Sequence, residues 1–441
     1  MPGPCLFWRL PKLLLMLHLT PDQKGAKTTI LKAIEPPFGV ALLTGYAGTG
    51  KTTLVSDLVS TIAQSGLKVT IACPTHKAAA VVRQMLPGEG VLEVGTIHAI
   101  FGMRILKTPD GKSKCSPPSK RVRDALIIDE ASMINQDIFD VIMKNSERII
   151  FVGDPAQLPP VEGNNLSPVF GNIVERAHLS QVIRQAEGNP IIELATWLRD
   201  KIERSELLTI SDLIEKATQI DPDQTKIGID SKFNIPQIVK SAIDAGMDAR
   251  MLGFTNACTA KMAQLIKRQL KPSGVVWPFE KGDPVYFASP LIDQESGKVL
   301  IDNNSETTVI ESHEPVFDPV TDLGIQNINL VQFGWVMAPC DVQKYRQKIK
   351  KVQADYTALE INQKFGLDRR ELKKNNRIVS TRLTKYADLR INHTMTIHKS
   401  QGSTFDCVIL DLKDIFTMRE HLLRALYVAV TRPIQYLVFC S

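Results

Sequence analysis

The feature that most constrains this chain is an eight-residue loop, residues 45–52, which reads G-x-x-x-x-G-K-T. A short apolar run at residues 40–43 precedes it, and a helical pattern follows at residues 53–65. Buried strand, glycine loop and helix in this order form a phosphate-binding unit. The glycines let backbone N–H groups face a phosphate chain, Lys51 supplies positive charge, and the Thr52 hydroxyl is a candidate Mg²⁺ ligand. The flanking elements argue against a chance match by a glycine-rich turn.

Further apolar runs predict two α/β units. In addition to the run before the loop, strands are predicted at residues 69–72, 125–128, 149–152, 251–254, 407–410 and 436–439. Helical stretches separate the runs, including one at residues 257–270, so each unit is expected to hold a parallel sheet covered by helices on both faces. A region rich in β-type residues at 279–337 interrupts the second unit.

The charge of the chain is unevenly distributed. Lys and Arg number 53 and Asp and Glu 47, a formal net charge of +6. Residues 103–123 hold seven basic residues and one acidic residue, and residues 343–390 hold fourteen basic and five acidic residues. The rest of the chain is therefore net acidic, and any affinity for a polyanion is concentrated in these two segments. Each is equally explained as solvated surface, one as a basic loop and the other as an amphipathic helix.

The cysteines and the N-terminus favour an intracellular, cytoplasmic setting. Seven cysteines are scattered without a C-x-x-C pair or zinc-ligand spacing, which favours a reducing compartment and no structural metal. Residues 1–17 are mostly apolar, but Arg9, Pro11 and Lys12 interrupt them, and the stretch is shorter than the ~20 residues of a membrane span. We expect an extension ahead of a start at Met16, or a frayed arm, in preference to a targeting segment.

Two adjacent carboxylates, Asp129 and Glu130, follow the apolar run at residues 125–128. One of the two can hold Mg²⁺ through water, while the other orients and deprotonates an attacking water. An acidic pair at the end of a strand is by itself more often a surface cap. In combination with the 45–52 loop, the pair predicts a nucleoside triphosphatase with candidate phosphate contacts at Gly45, Ala47, Gly48, Thr49, Gly50, Lys51, Thr52 and Thr53.

Eight segments in a fixed order carry a family resemblance. Apart from the loop, the eight segments are LTPDQ at 19–23, CPTHKA at 73–78, GTIH at 95–98, IDEASM at 128–133 with the acidic pair, GDPAQLPP at 153–160, LSQVIRQ at 179–185, TIHKSQGSTF at 396–405 and LYVAVTR at 426–432. Any one of them is weak support, whereas the ordered set is specific. From residue 19 to residue 431 the chain resembles the superfamily 1 helicases, in the Dda and RecD-like branch.

The resemblance implies roles for residues around the loop. Gln23 is expected to read the adenine edge, and Gly402 to contact the nucleotide. Gln157 is expected to orient the attacking water, and two arginines to neutralise charge on the transferred phosphoryl group. The catalytic set implied is Lys51, Asp129, Glu130, Gln157, Arg184 and Arg432, with Thr52 and Asp129 as metal ligands.

The resemblance also implies a path for single-stranded nucleic acid across both α/β units. Small hydroxyl side chains and backbone groups suit contacts with phosphates that do not depend on base sequence, and histidine can stack or donate a hydrogen bond. The expected contacts are Pro74, Thr75, His76, Thr96, His98, Thr255, Asn256, Thr396 and His398.

The implied architecture is two RecA-like P-loop NTPase cores. The first spans residues 18–187 and carries a β-hairpin pin at 101–123. The second spans 188–278 and 387–441, and an SH3-like barrel and tower at 279–386 interrupt it. Two departures from the family pattern stand out: Pro433 follows Arg432 directly, which predicts a shortened helix there, and the pin has no aromatic residue between residues 103 and 123.

The function implied is an ATP- and Mg²⁺-dependent DNA helicase that moves 5′→3′ on single-stranded DNA and unwinds duplex. Its expected partners are single-stranded DNA, strand junctions, and a single-strand-binding protein or replisome component. It is expected to act as a monomer encoded by a phage or bacterium, without membrane association. The alternative is a single-strand-stimulated ATPase that remodels nucleoprotein, or a recombination-complex subunit, without unwinding of its own. A P-loop kinase or transporter ATPase does not account for the segment at 396–405.

Overall fold

The structure is a computed structural model. It describes residues 19–86, 90–103, 105–107, 113–160, 166–181, 188–271, 277–292, 299–301, 305–363 and 370–441. The predicted extension at residues 1–17 and the candidate catalytic residue Arg184 lie outside the described residues. No helix of the described part is both long enough and apolar enough to cross a membrane.

The first core alternates strands and helices from residue 21 to residue 179. Its elements are α1 Pro21–Ile34, β1 Val40–Gly45, α2 Lys51–Gln64, β2 Val69–Cys73, α3 His76–Met85, β3 Val91–Thr96, α4 Ile97–Ile100, β4 Ile105–Lys107, β5 Ser113–Cys115, β6 Val122–Ile128, α5 Gln136–Asn145, β7 Ser146–Gly153, α6 Val169–Asn172 and β8 Arg176–Leu179. Six of the strands form a parallel sheet in the order β3-β2-β6-β7-β1-β8. Strands β4 and β5 form a separate antiparallel hairpin.

Apolar packing on both faces explains the parallel sheet. Every residue of β2 is buried, as are residues 125–128 of β6. One apolar cluster lies between the sheet and α1, α2 and α3, and a second lies under α4 and α5. Strands buried on both faces read as continuous apolar runs, and the strands predicted in this core are confirmed.

The second core is built from two separated parts of the chain. Its elements before the interruption are α7 Pro190–Glu203, α8 Ile210–Ile220, β9 Ile227–Asp230, α9 Ile235–Asp244, β10 Ala249–Gly253 and α10 Asn256–Leu270. Those after it are β19 Thr394–Thr396, α13 Ile397–Ser400, β20 Phe405–Asp411, α14 Leu412–Ile415, α15 Leu422–Val430 and β21 Pro433–Cys440. The strands form a parallel sheet in the order β19-β10-β20-β21-β9. The predicted second α/β unit is confirmed.

An antiparallel sheet, the insertion sheet, interrupts the second core. The interrupting elements are β11 Pro284–Phe287, β12 Leu291–Ile292, β13 Val299–Ile301, β14 Glu306–Ser312, β15 Val316–Asp318, β16 Leu323–Leu330, β17 Gly334–Pro339, α11 Val342–Gln363, α12 Arg370–Leu383 and β18 Leu389–Ile391. The insertion sheet runs β15-β16-β14-β11-β18, with β17 on β16. Because β18 pairs with β11, the sheet extends past residue 386, where the insertion was predicted to end. The other predicted domain boundaries stay predictions.

Helices α11 and α12 pack on the insertion sheet. Tyr345 of α11 is buried, and its hydroxyl donates to the carbonyls of Leu383 and Tyr386, at 3.2 and 3.3 Å. Val352, two turns further along α11, is also buried. The predicted amphipathic helix is confirmed over these residues, and its charged face is the solvated one.

Candidate nucleotide and nucleic-acid site

The 45–52 loop has the backbone geometry of a phosphate cradle. Gly48 and Gly50 adopt φ angles of 82° and 77°, in the left-handed region that glycine enters without strain. A Cβ on Gly45 would lie 2.7 Å from Thr49 Oγ1, so a side chain there would displace the loop. Helix α2 begins at Lys51, two residues before the predicted start, and its first N–H groups therefore point into the loop.

Lys51 and Gln23 both contact the loop backbone. The Lys51 ammonium donates to the carbonyls of Gly45 and Tyr46, at 2.6 and 2.9 Å. Gln23, only 2% exposed, accepts from Thr20 N at 3.0 Å and donates to Gly50 O at 3.3 Å. A glutamine amide has two donor hydrogens and two acceptor positions, so these bonds use half of its capacity. Gln23 thus lies against the loop, where an adenine contact is feasible.

The acidic pair lies directly after β6. Glu130 has φ of 56°, a left-handed conformation that is costly for a residue with a side chain, and its N–H donates to Asp129 Oδ1 at 2.9 Å. Burial raises the pKa of Glu130 to about 7, with a further contribution from the Asp129 charge. Burial also raises the pKa of Asp129, against the opposing effects of the Glu130 N–H and the Lys51 charge. Strained backbone and a raised pKa are typical of a working carboxylate.

Thr52 and Asp129 offer the donor set that Mg²⁺ prefers. Both supply oxygen atoms, one from a hydroxyl at the start of α2 and one from a carboxylate beside Lys51. Asp129 uses Oδ1 to hold the Glu130 N–H, which fixes the carboxylate in place. The residues present therefore fit a magnesium ion.

Gln157 lies in the segment after β7, the strand next to β6, as predicted. It is 6% exposed, and its Oε1 has no hydrogen-bond partner among the described residues. Asp154 Oδ1 accepts from Ala156 N at 2.9 Å, and Arg424 of α15 donates to the carbonyls of Pro155 and Gln157. The second core therefore holds the segment that carries Gln157.

Tyr427 bridges the two cores at the phosphate loop. Its hydroxyl donates to Asp154 Oδ2 at 2.7 Å and accepts from Ala47 N at 3.2 Å, and the side chain is 2% exposed. Sequence reasoning missed Tyr427, Asp154 and Arg424 as functional residues. They lie inside or just before the segments at 153–160 and 426–432, yet a position in a motif does not reveal its spatial partner.

Arg432 and Gly402 bring the second core up to the acidic pair. Arg432 is 6% exposed and donates to Val428 O at 2.9 Å and Ser403 O at 3.1 Å, and its charge opposes the rise in the pKa of Glu130. A Cβ on Gly402 would lie 3.7 Å from Glu130 Oε1. Helix α15 ends at Val430 and β21 begins at Pro433, so no helix continues through Arg432.

Four of the predicted nucleic-acid contacts are threonines that occupy one structural position. Thr75, Thr96, Thr255 and Thr396 are the N-caps of α3, α4, α10 and α13, and we call them the threonine caps. Cys73 pairs with Thr96 across β2 and β3, and Gly253 with Thr396 across β10 and β19. Each core therefore presents two caps at the carboxyl ends of neighbouring parallel strands, the edge where open α/β sheets bind ligands.

The threonine caps differ in how their hydroxyls are used. Thr75 and Thr96 accept from Ala78 N at 3.2 Å and Ala99 N at 3.3 Å. The hydroxyl of Thr255 accepts from Cys258 N and also donates to Asp414 Oδ1 at 2.6 Å, so its single hydrogen is engaged.

The remaining predicted contacts lie beside these caps. Pro74 is half-buried, and His76 and Asn256 are exposed. His98 Nε2 lies 3.4 Å from Cys115 Sγ at the end of β5. The His398 ring centroid is 6.4 Å from that of Phe254, and burial lowers the pKa of His398, which favours the neutral imidazole.

Comparison with known proteins agrees with this geometry, which defines a P-loop NTPase with two RecA-like cores. Residues 18–218 match the family model described as an AAA domain, and residues 393–440 match the model described as a UvrD-like helicase C-terminal domain. With the ordered motifs, these matches make the chain similar to the superfamily 1 helicases, in the Dda and RecD-like branch.

Individual relatives span different parts of the chain. The ATP-dependent DNA helicase dda of Enterobacteria phage T4 is 27% identical over 442 residues, which cover 94% of this chain and 97% of that protein. The ATP-dependent RecD2 DNA helicase of Deinococcus radiodurans is 31% identical over 188 residues, 42% of this chain and 24% of that protein. The crystal structure of Pif1 helicase from Candida albicans aligns with a TM-score of 0.49 and 16% identity, over 96% of this chain and 94% of that chain.

Proposed function

We propose that the chain is an ATP-dependent DNA helicase that moves along single-stranded DNA in the 5′→3′ direction and unwinds duplex. The observation that carries the proposal is the bridge between the cores. Tyr427 and Arg424 of the second core bind the phosphate loop and the Gln157 segment of the first core. ATP bound in the loop therefore lies where the two cores meet, so its hydrolysis is coupled to their relative movement.

The hydrolytic step is assigned to residues of the first core. Glu130, whose pKa is raised to about 7, accepts the proton of the attacking water. Gln157 orients that water through its buried Oε1. Thr52 and Asp129 would hold Mg²⁺, which when bound would neutralise charge on the phosphates. When nucleotide binds, the Lys51 ammonium exchanges its hydrogen bonds to the carbonyls of Gly45 and Tyr46 for hydrogen bonds to phosphate oxygens.

The second core is assigned the transition-state arginine. Arg432 lies close enough to Glu130 to influence its pKa, and its guanidinium is held by two carbonyls of its own core. Closure of the cleft brings this charge toward the γ-phosphate. Arg184 is assigned the same role from the first core by resemblance alone.

The threonine caps are assigned the grip on DNA. They form one pair on each core, flanked by Pro74, His76, His98, Asn256 and His398. Backbone N–H groups and hydroxyls at helix starts bind phosphates without reading bases, which suits movement along any sequence.

The 105–115 hairpin is assigned the strand-separating role, as a pin. Its second strand ends at Cys115, 3.4 Å from His98, so the hairpin leaves the core at the predicted DNA path. The insertion sheet, proposed to be SH3-like, and helices α11 and α12 as its tower are assigned to brace the junction. The absence of an aromatic residue between residues 103 and 123 keeps open the second candidate, an ATPase that remodels nucleoprotein without unwinding.

Strand displacement on 5′-tailed and 3′-tailed duplexes, with ATP turnover measured alongside, tests the proposal. Unwinding of the 5′-tailed substrate alone is expected. DNA-stimulated ATPase activity with equal or no unwinding on both substrates would support the second candidate instead. Lys51→Ala should lower turnover by about 100-fold or more, whereas Lys68→Ala, an exposed lysine before β2, should leave it unchanged.

A further inference from the structure

A cavity of about 400 Å³ opens at the carboxyl edge of the second sheet. Three segments line it: residues 232–236 after β9, one side of α10 between Cys258 and Leu265, and the end of β20 with the start of α14. This volume lies within the range of about 300–1,000 Å³ found for small-molecule sites. None of the residues assigned to ATP hydrolysis lines the cavity.

The cavity adjoins the predicted DNA path through Asp414. Asp414 lines the cavity, and its carboxylate accepts from Thr255 N at 2.9 Å and from the Thr255 hydroxyl at 2.6 Å. The other lining carboxylate, Asp411, accepts from Asp414 N at 3.1 Å and lies 3.4 Å from Cys258 Sγ. Both carboxylates are therefore engaged in holding the wall of the cavity together.

The cations around the cavity are not engaged in this way. Lys232, Lys261 and Lys413 line it, and none forms an ion pair with another residue in the part of the chain that the structure describes. Lys261 and Lys413 are exposed. The site therefore has three ammonium groups available for an anionic ligand.

An exposed aromatic ring stands at the rim. Phe233 is 83% exposed. Its turn is held by Ser231 Oγ, which accepts from Phe233 N at 3.4 Å, by the bond from Asn234 Nδ2 to Asp230 Oδ1 at 2.8 Å, and by the bond from Lys232 N to Ser441 O at 3.2 Å. The turn that carries the exposed ring is therefore already ordered, so its backbone need not be ordered when a ligand stacks on the ring.

We infer that this cavity is a subsite for single-stranded nucleic acid, next to the threonine caps of the second core. The base of one nucleotide stacks on Phe233, and the lysines contact the flanking phosphates. The inference rests on the proposed function, since it extends the path that passes Thr255 and Asn256. Continuity with that path favours nucleic acid over an acidic peptide, which would also complement the three lysines.

The test measures binding of oligodeoxythymidines of increasing length to the full chain. Phe233→Ala should weaken binding of long oligomers by about 5- to 100-fold, and should leave unchanged the shortest oligomers, which occupy the threonine caps alone. Lys232→Gln with Lys413→Gln should reduce the slope of log affinity against log salt by about 0.7 for each phosphate that is no longer neutralised. Phe38→Ala is the control, because Phe38 is 74% exposed and lies before β1, at the amino edge of the first sheet.

The outcomes separate this inference from the proposed function. If the unsubstituted chain binds and unwinds DNA but Phe233→Ala keeps its affinity for every length, the subsite is overturned and the helicase stands. If the unsubstituted chain does not bind oligodeoxythymidine, the proposed function fails first. If Phe233→Ala abolishes binding of a polyglutamate peptide and retains DNA affinity, the cavity is assigned to an acidic protein segment and the inference is also overturned.

Discussion

At the scale of single residues, the Tyr427 hydroxyl has an unusual position. It accepts the Ala47 N–H, a group of the loop that receives phosphate, and it donates to Asp154 beside the Gln157 segment. A phosphate oxygen that enters the loop competes for the same N–H. Tyr427 therefore links occupancy of the loop to the alignment of the second core.

Tyr427→Phe removes this hydroxyl and preserves the ring. We expect nucleotide binding to persist and DNA-stimulated ATP turnover to fall by about tenfold or more, since hydrogen bonds to charged groups contribute about 1.5–3 kcal/mol. Steady-state turnover with saturating oligodeoxythymidine, and titration with a fluorescent nucleotide, measure the two effects. Tyr345→Phe is the matched control, because the buried Tyr345 hydroxyl donates to two carbonyls between α11 and α12 of the interrupting segment, away from the loop. Normal turnover by Tyr427→Phe would remove the bridge from the mechanism.

The parts of the site that sequence could predict are local. The 45–52 loop and the pair Asp129 and Glu130 are each contiguous and lie next to an apolar run. The residue types predict the chemistry, and the neighbouring strand predicts where the residues lie in the fold. The bridge joins Tyr427 to Ala47 and Asp154, far apart in the chain, and no spacing encodes that contact. The left-handed conformation of Glu130 is likewise invisible, because any residue can be forced into it by its surroundings.

At the scale of elements, the attachment of the insertion sheet to α10 depends on a buried ion pair. Lys267 of α10 is 6% exposed, and its ammonium donates to Asp283 at 2.5 Å and to Pro278 O at 2.9 Å. Lys271, one turn further along, reaches Asp283 at 3.2 Å. These contacts fix the direction in which the chain leaves the second core for β11.

Lys267→Met preserves the volume of the side chain and removes its charge. Because Asp283 is left buried with the more distant Lys271, we expect the free energy of unfolding to fall by about 3 kcal/mol. Urea denaturation followed by circular dichroism measures the change. Lys240→Met breaks a partly exposed pair with Asp244 in α9 and should cost less than about 0.5 kcal/mol. Equal effects of the two substitutions would contradict the role given to Lys267.

Strands were predicted correctly where helices bury both faces of the sheet. The strands of both parallel sheets are continuous apolar runs, whereas β14 has one buried residue among exposed and half-buried ones and gives a weak pattern. Strand β18 has three residues and pairs with β11, which lies far earlier in the chain. Its membership of the insertion sheet depends on that distant pairing. The predicted end of the insertion at residue 386 therefore lies before β18.

At the scale of the whole molecule, the insertion sheet touches both cores. Lys77 of α3, in the first core, pairs with Glu306 of β14 at 2.5 Å. The Lys399 ammonium, in the second core, lies 4.7 Å from the centre of the Tyr286 ring in β11. Movement of one core against the other must therefore alter at least one of these two contacts.

Charge reversal at the Lys77–Glu306 pair tests whether the insertion sheet moves together with the first core. Lys77→Glu faces Glu306 with a like charge and should slow unwinding by about two- to fivefold, as expected for a partly exposed pair. ATP turnover should remain unchanged. The double substitution Lys77→Glu with Glu306→Lys should restore the unwinding rate at low salt, and all differences should shrink as salt rises. If the double variant unwinds no better than the single one, Lys77 acts through DNA rather than through Glu306.

The proposed role of the threonine caps has a consequence for the distance that the chain advances along DNA in each ATP cycle. In the proposed function, DNA phosphates bind at one pair of threonine caps on each core, so the stride along DNA equals the change in distance between the pairs as the cleft closes. That distance is set by the protein and not by the bases. In this scheme the advance per ATP is a fixed length of backbone that does not depend on base sequence.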